Sequence, residues 1–372
     1  MRRPLAHLIA TALLVAAVLS KYEAASGFTS LIRFGETWES RRVEAVRSLP
    51  VATSPNSSGY DGQFYAQIAL DPRLSRPELA TALDAPTYRA RRILVPAAAA
   101  ALGGGQAWWT LQAYALLNLA CWLALGRLLY VRLLNHDHAF ARWIGCMFAL
   151  GALDSVRQSL VDLPALLLLS LAVQAVERAQ PKTASIWGAV GALAKETNLL
   201  GSIALVAGEA GHPNRWRRIV GSIVAAAIPF AIWSAYVNAR LGNHGQAEGF
   251  GNFTWPGAGL VTQIVDCSRN LLAGDFDARF SFGLLGTLAL AIQAGCLFRY
   301  RQPATAWWRV GVAYAGLMVF LGSWVWSGYW GACRVVLPMT IAFNLLVPGS
   351  RAFWAWWICG NIALLHGVWR FL

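Results

Sequence analysis

The sequence is poor in charged residues, and especially in acidic ones. Charged residues make up 13% of the 372 positions and hydrophobic residues 57%, which excludes an ordinary soluble globular domain. The six cysteines are far apart and the six histidines are scattered, so their spacing shows neither a disulfide framework nor a metal-ligand motif. No glycine-rich phosphate loop and no Gly-x-Ser-x-Gly motif occurs, which removes support for nucleotide hydrolysis and for a serine hydrolase.

What the sequence does contain is a series of apolar runs separated by short basic loops. They predict an all-α, polytopic transmembrane helix bundle of about eleven spans in a single membrane domain, residues 1–372. The predicted spans are 4–20, 106–131, 141–156, 160–177, 183–195, 198–210, 218–239, 280–298, 306–326, 330–347 and 353–371. The first span follows Arg2 and Arg3 and resembles a signal peptide, but the segment from Ala24 to Ser26 is a poor cleavage site, so we expect an uncleaved signal anchor.

The formal net charge of +13 would suggest a nucleic-acid partner in a soluble protein. Here the basic residues fall in the short loops, where an excess of Lys and Arg marks the cytoplasmic side of a membrane. We therefore predict a cytoplasmic N-terminus, contact with membrane lipids, and no nucleic-acid partner. The residues that mark the cytoplasmic loops are Arg2, Arg3, Arg127, Arg132, Arg142, Arg178, Lys182, Arg215, Arg217, Arg218, Arg299, Arg301, Arg309 and Arg351.

The same orientation places two long loops outside, 21–105 and the less regular 240–279. The first loop predicts several short helices that lie along the membrane surface. One is amphipathic and spans 35–49, one begins near Ser58, and one opens with the capping box Ser75-Arg-Pro-Glu78. Because the first loop is expected to be ordered and external, function is expected to face the exterior.

Asp61, in the first external loop, is the leading candidate for chemistry. It lies between Gly59 and Gly62, which would let the backbone approach a ligand, and its neighbours Tyr60 and Gln63 are candidates for substrate contacts. A carboxylate at a membrane surface, partly desolvated by aromatic neighbours, can accept a proton from a hydroxyl or hold a cation. The alternative is that Asp61 caps a short helix or bonds to loop amides.

A second group of candidates lies at the predicted outer ends of helices. Arg89 and Arg92 share a helical face and could bind phosphate, and they rank above Arg91, which would point elsewhere. Isolated charges within apolar segments are costly and by default mark function. Those predicted to converge on the same side are Asp154, Arg157, Asp162, Lys195, Glu196 and Arg334. The alternatives are anchoring to lipid headgroups for the arginines of the first loop and mutual salt bridges for the charges of the helices.

Together these features resemble the GT-C superfamily of polytopic glycosyltransferases, and more closely a bacterial group linked to cell-surface glycopolymer formation. The first loop carries most of the resemblance, in the segments Leu31-Ile-Arg-Phe-Gly35, Gly59-Tyr-Asp-Gly-Gln-Phe-Tyr-Ala-Gln-Ile-Ala-Leu-Asp-Pro72 and Ala85-Pro-Thr-Tyr-Arg-Ala-Arg-Arg-Ile-Leu-Val-Pro96. Ala194-Lys-Glu-Thr-Asn198 is similar to an Arg-Glu-Thr stretch in that group. Arg334-Val-Val-Leu-Pro338 is similar to an Arg-x-x-x-Pro run in a late helix of many GT-C enzymes.

The resemblance implies an inverting sugar transfer from a polyprenyl-phosphate donor at the periplasmic face of the bacterial inner membrane. The acceptor would be an envelope glycolipid, polysaccharide or protein. Asp61 would be the general base, with Asp154 and Asp162 as the other acids considered for that role. The residues expected to bind the donor phosphate or the substrate are Arg89, Arg92, Arg334, Lys195, Glu196, Tyr60 and Gln63, with Arg91 as a secondary candidate.

Two questions stay open at the level of the sequence. Many GT-C enzymes have two adjacent acids in this loop, whereas Gly62 follows Asp61, so a metal clamp is in doubt and the need for a divalent cation is undecided. The other open question is the class of protein. A transporter or flippase for lipid-linked saccharides, or a non-catalytic assembly partner, would use the same arginines, although a transporter predicts charges spread through the bundle and repeated halves.

Overall fold

The first quarter of the chain forms one long helix followed by a folded loop of short elements. The protein is described by a computed structural model that covers residues 2–209, 215–242 and 250–372. The loop contains two short 3₁₀ helices, Thr29–Leu31 and Glu36–Arg41. It also contains a parallel pair of two-residue strands, β1 (Phe34–Gly35) and β2 (Thr53–Ser54). The α-helices are α1 (Arg2–Leu19), α2 (Glu44–Arg47), α3 (Gly62–Leu70), α4 (Leu79–Ala82), α5 (Pro86–Ala90) and α6 (Leu94–Leu102).

The rest of the described chain is also helical, which confirms the prediction of a mainly α-helical fold. Two further 3₁₀ segments are Glu196–Glu209 and Phe250–Asn252. The α-helices are α7 (Ala107–Leu133), α8 (Ala139–Met147), α9 (Leu150–Arg157), α10 (Asp162–Glu177), α11 (Pro181–Ala194), α12 (Arg215–Leu241), α13 (Ala258–Leu272), α14 (Ala278–Arg299), α15 (Ala306–Phe320), α16 (Ser323–Trp326), α17 (Trp330–Val335), α18 (Leu337–Leu346), α19 (Phe353–Gly360) and α20 (Ala363–Phe371).

Three helices in the described ranges are long and apolar enough to cross a membrane: α7, the part of α12 from Val220 to Leu241, and α14. The pair α8 and α9, which is bent by 47°, would add a fourth span. Shorter apolar helices occur at Pro4–Leu19, Ala306–Phe320 and Leu337–Leu346. The chain thus has the apolar helices of a membrane protein, whereas a total of about eleven spans stays a prediction.

Several of the predicted spans are broken into two helices. The predicted span 330–347 divides between α17 and α18, with Pro338 in the first turn of α18, where a missing amide hydrogen is tolerated. The predicted span 306–326 stops at Phe320, because the backbone turns there to pair with the second loop. The spans predicted at 141–156 and 353–371 divide in the same way, and position 210 of the span 198–210 lies outside the described residues.

The first long loop, 21–105, is ordered, but its local elements differ from the prediction. No single helix covers 35–49, and the helix expected from Ser58 begins at Gly62. The capping box is wrong: the Ser75 hydroxyl donates to Asp71 Oδ1 at 2.8 Å, and α4 begins only at Leu79 without a side-chain cap. Asp71 also accepts from the Arg76 amide at 2.7 Å, so these residues close the turn that follows α3.

The second loop is more regular than predicted. Residues 258–272 form the amphipathic helix α13, with Gln263 and Cys267 buried and Val261 and Leu272 exposed. The strand-like segment before it pairs with the end of α15, where Thr254 donates to the Phe320 carbonyl at 2.9 Å. Positions 243–249 of this predicted loop lie outside the described residues.

Charged residues gather at two opposite ends of the helices. At one end Arg132 pairs with Glu177, and Arg142 donates to backbone carbonyls of Asn344, Leu345 and Val347. At the other end the Lys21 ammonium lies 3.5 Å from the Leu372 carbonyl, and Arg370 pairs with Asp154 at 3.3 Å. Between them lies an apolar core, in which the buried indoles of Trp122 and Trp143 donate to backbone carbonyls at 2.8 and 2.9 Å.

Candidate active site

Asp61 is the residue immediately before α3, and its position is fixed by two glycines. Gly59 has φ +70°, and a Cβ added to it would lie 2.4 Å from the Arg33 carbonyl oxygen. A Cβ on Gly62 would lie 2.2 Å from the carbonyl oxygen of Gln158, at the end of α9. The expectation that these glycines admit a ligand was therefore wrong. Instead, the two glycines let other backbone segments of the protein pack directly against them. This packing fixes Asp61 where the first loop meets the helices.

The carboxylate of Asp61 lies between two guanidinium groups. Arg89 Nη2 lies 2.8 Å from Oδ1, and Arg334 Nη2 lies 3.3 Å from Oδ2. Although Asp61 occupies the cap position of α3, it makes no capping hydrogen bond. Burial alone would raise the pKa of Asp61, but Arg89 and Arg334 outweigh it and hold the pKa well below its usual value. The side chain is therefore ionised and bound by cations rather than used as a helix cap.

Arg89 is held in place by several acceptors. Its Nε and Nη2 atoms donate to the two carboxylate oxygens of Asp84 at 2.9 and 2.6 Å, and Nη1 donates to the Tyr65 hydroxyl at 3.3 Å. With Asp61 on Nη2 as well, every nitrogen of this guanidinium has a partner. Asp84 was not singled out from the sequence. The signal that could have found it is an acid just before α5 and five residues before Arg89, within reach of that side chain.

Arg92 is equally well paired. Its Nε donates to Glu196 Oε2 at 2.9 Å, Nη2 donates to Glu196 Oε1 and to the Tyr88 hydroxyl, and Nη1 donates to Tyr65 at 2.8 Å. The guanidinium also lies over the Tyr88 ring, 4.4 Å from its centre. Burial would raise the pKa of Glu196, but Arg92 outweighs it and lowers the pKa to about 2. Tyr65 and Tyr88 are further site residues that sequence reasoning missed as ligands.

Arg334 differs from the other two arginines because two of its guanidinium nitrogens make no hydrogen bond to the described residues. Its Nε and Nη1 atoms are buried and find no hydrogen-bond partner within the described parts of the chain. Its contacts are the Asp61 pair, a longer approach of Nε to Asp162 Oδ2 at 3.9 Å, and the face of Tyr60 at 5.2 Å. Asp162 itself is held by Lys195 at 2.6 Å, and both side chains are more than nine-tenths buried. A buried donor without a partner is costly, which points to a ligand that accepts hydrogen bonds here.

These groups line one cavity of about 390 Å³. Its charged lining residues are Asp61, Arg89, Arg92, Asp162, Lys195, Glu196 and Arg334. Its apolar wall is formed by Phe253, Leu321, Trp324, Val325, Trp330 and Val335. Four cations face three carboxylates, and Asp84 behind Arg89 supplies a fourth. Because the charges balance, any preference for an anion comes from the unused donors of Arg334 rather than from net charge.

Four of the sequence candidates lie outside this cavity lining. Gln63 is fully buried and ties the loop together, because it accepts from the Gly35 amide at 3.1 Å and donates to the Ser58 carbonyl at 2.7 Å. Asp154 pairs with Arg370 instead. Arg91 and Arg157 are also absent from the lining. None of these four side chains is therefore placed to contact a substrate held in this cavity.

A divalent cation finds no suitable set of ligands in the described ranges. No group of three or more His, Cys, Asp and Glu side chains is placed there to hold a metal ion. The site carboxylates are instead paired with Arg or Lys, which compete with a cation for the same oxygens.

Comparisons with known proteins add no assignment. No family model matches the sequence, and no curated protein and no solved structure matches it. The resemblance to GT-C enzymes is thus carried by the quoted motifs alone, and the function has to be argued from the site.

Proposed function

We propose that this chain is a membrane glycosyltransferase that transfers a sugar from a polyprenyl-phosphate donor to an envelope acceptor. The observation that carries the proposal is the pairing of Asp61 with Arg334 in the cavity. A carboxylate able to accept a proton lies 3.3 Å from a guanidinium with two unused, buried donors. That pair supplies a base and an anion-binding group side by side, as glycosyl transfer from a lipid phosphate requires.

The donor phosphate is assigned to Arg334 rather than to Arg89 and Arg92. All nitrogens of Arg89 and Arg92 already donate to protein acceptors, whereas Nε and Nη1 of Arg334 do not. Arginine keeps its charge and hydrogen-bonds phosphate oxygens well, so Arg334 can stabilise the phosphate as it leaves. Arg89 then acts by positioning Asp61, and Arg92 by positioning Glu196.

The low pKa of Asp61 fits a base that gains strength only when the donor is bound. Without a ligand, Arg89 and Arg334 stabilise the carboxylate and make it a weak base. A phosphate that binds Arg334 offsets one of these charges and raises the pKa of Asp61. The site is thereby able to delay proton transfer until a donor is present.

The bond changes balance in a single displacement. The oxygen of the acceptor hydroxyl bonds to the anomeric carbon while the bond from that carbon to the phosphate oxygen breaks. The phosphate leaves with the electron pair as lipid phosphate, and the hydroxyl proton passes to Asp61. Attack from the face opposite the phosphate inverts the configuration at the anomeric carbon.

The apolar wall is assigned to the donor lipid. Trp324 is 81% exposed and Phe253 51% exposed, yet both line the same cavity as the charged residues. Exposed apolar side chains beside a polar site provide a surface for an isoprenoid chain that extends from the membrane. A lipid donor also explains a membrane chain without a nucleotide-binding motif. We place the site at the periplasmic face of the bacterial inner membrane, in line with the basic loops at the other end.

The proposal is tested with purified protein in lipid nanodiscs and a panel of polyprenyl-phosphate sugars. Release of lipid phosphate is followed for the native chain and for Asp61→Asn, with Asp137→Asn at the opposite end as the matched control. Release by the native chain and by the control, lost in Asp61→Asn while donor binding persists, would support the transferase. Saturable donor binding without release, even with crude envelope acceptor present, would favour a carrier or an assembly partner.

A further inference from the structure

A second, smaller cavity of about 220 Å³ adjoins the Asp61 cavity. It lies between α13, the start of α14 and the α16 segment, and Ser327 lines both cavities. Its polar side chains come mainly from α13 and the start of α14, and none of those side chains has a role in the proposed mechanism. The shared residue makes the two cavities neighbours.

The chemistry of this cavity differs from that of the Asp61 cavity. Thr262, Gln263 and Asn270 supply uncharged polar groups, and the charged lining residues are one acid, Asp266, and one base, Arg279. One charge of each sign gives no preference for an anion. Metal binding is not indicated either, since the described residues include no suitable group of three ligands.

Several of these groups have hydrogen-bonding capacity left for a ligand. The Asp266 carboxylate has no hydrogen bond or ion pair to the described parts of the chain, and the amide of Asn270 uses only its NH₂ group, on the Asp266 carbonyl at 2.7 Å. Arg279 uses one nitrogen on the Ser327 hydroxyl at 3.1 Å. Carboxylate, amide and guanidinium groups each bond two neighbouring hydroxyls, and the ring of Phe280 offers an apolar surface in the same cavity.

We propose that this cavity is a subsite for a neutral sugar unit, the one that carries the acceptor hydroxyl. The proposal rests on the transferase function proposed above and adds the chemical class of its acceptor. At about 220 Å³ the cavity is below the size of typical pockets for larger ligands, about 300–1,000 Å³, so it suits one ring rather than an oligosaccharide. Ser327 marks the passage from this sugar to Asp61.

The test measures sugar binding separately from turnover. The probes are methyl α-D-glucopyranoside, methyl α-D-mannopyranoside and methyl β-D-galactopyranoside, studied by saturation-transfer NMR with protein in nanodiscs and with empty nanodiscs as background. At least one glycoside should bind the native chain above the background of empty nanodiscs. The double variant Asp266→Ala with Asn270→Ala should bind it about tenfold more weakly or worse, as expected for two lost hydrogen bonds.

Arg269→Ala, an exposed residue of the same helix that does not line the cavity, is the matched control and should bind the glycoside as the native chain does. Thr262→Val provides a second, milder variant, and circular dichroism checks that each variant is folded. Where transfer is active, the double variant should raise the KM for a saccharide acceptor about tenfold and leave the KM for the donor unchanged.

The outcomes separate this inference from the transferase proposal. One outcome is glycoside binding that the double variant loses, in a protein that releases no lipid phosphate. This outcome would support the sugar site and contradict the transferase proposal. Active release with a glycoside affinity or acceptor KM that the double variant does not change would overturn the sugar site alone. Preferential binding of methyl glucuronide over the neutral glycosides would also overturn it.

Discussion

Two cavities of nearly equal size lie at opposite ends of the molecule. The Asp61 cavity measures about 390 Å³, and a cavity lined by His7, Tyr130, His138 and Trp354 measures about 380 Å³. The first contains ion pairs among side chains from distant parts of the chain. The second contains mainly aromatic rings, with the His7 ring 4.9 Å from that of Tyr130. Volume therefore does not distinguish a chemical site from a gap between rings, whereas unused donors and paired charges do.

The largest effect on the transfer rate should follow from removing the carboxylate of Asp61 in the first cavity. Asp61→Asn is expected to reduce lipid-phosphate release about 10²–10⁴-fold, the usual contribution of a positioned general base. The measurement is the initial rate in nanodiscs with saturating donor. A reduction of only a few-fold would shift the role of base to another acid.

Loss of the buried lysine should mainly affect stability. Lys195→Met leaves Asp162 buried without its cation and is expected to lower the free energy of unfolding by about 3–5 kcal/mol. Denaturant unfolding in detergent measures this, and the added change Asp162→Leu should recover most of the loss. The half-exposed pair at the other end provides the contrast, since Arg132→Gln should cost about 1 kcal/mol or less.

Arg334→Gln separates donor binding from the positioning of Asp61. Donor affinity should fall about tenfold to a hundredfold, as expected for lost hydrogen bonds to a charged group. Because one stabilising cation is removed, the pKa of Asp61 rises, and the acid limb of the pH–rate profile moves to higher pH. Arg91→Gln, outside the cavity lining, is the control. An unchanged donor affinity would mean that the phosphate binds elsewhere.

The Glu196 pair predicts a defined loss of stability at low pH. Arg92 lowers the pKa of Glu196 from its usual 4.5 to about 2. The native state therefore holds this carboxylate ionised more strongly than the unfolded state does, and the stabilisation is present above about pH 4.5 and lost as pH falls towards 2. Thermal unfolding across this range should show a smaller fall for Glu196→Gln than for the native chain. Parallel curves would contradict the pairing.

The smallest effect is expected in the aromatic cavity. Trp354→Leu removes ring contacts with Phe353 and His138 at 5.1 and 5.3 Å, which are worth about 0.5–1.5 kcal/mol in such pairs. Release of lipid phosphate should not change. A loss of transfer in this variant would mean that the two ends are coupled and would remove the contrast between them.

Part of the site was predictable from residue type alone. Charges next to apolar segments are costly, so Asp162, Lys195, Glu196 and Arg334 stood out, and the structure does bring them together with Asp61. The roles of the arginines were not predictable, because which guanidinium keeps free donors depends on partners such as Asp84 and Tyr65 that only tertiary contacts supply.

The helix boundaries show the same limit. Long apolar runs such as α7 are well defined by composition, and their positions were predicted to within a few residues. The breaks near Phe320 and Val336, and the helix α13, arise from pairing between distant segments and from the balance of exposed and buried faces. Hydropathy measures neither property, so it merged the broken helices and treated 258–272 as irregular.

The close approach at Gly59 and Gly62 has a consequence for protein engineering. Gly59 touches the backbone at Arg33 within the same loop, whereas Gly62 touches the backbone at Gln158, outside it. The acid-bearing loop is therefore not an interchangeable module. A chimera that grafts this loop onto another helix bundle would inherit the motif but not its placement, unless the segment around Gln158 was transferred as well. Sequence variation around Asp61 should therefore be correlated between three distant stretches of the chain.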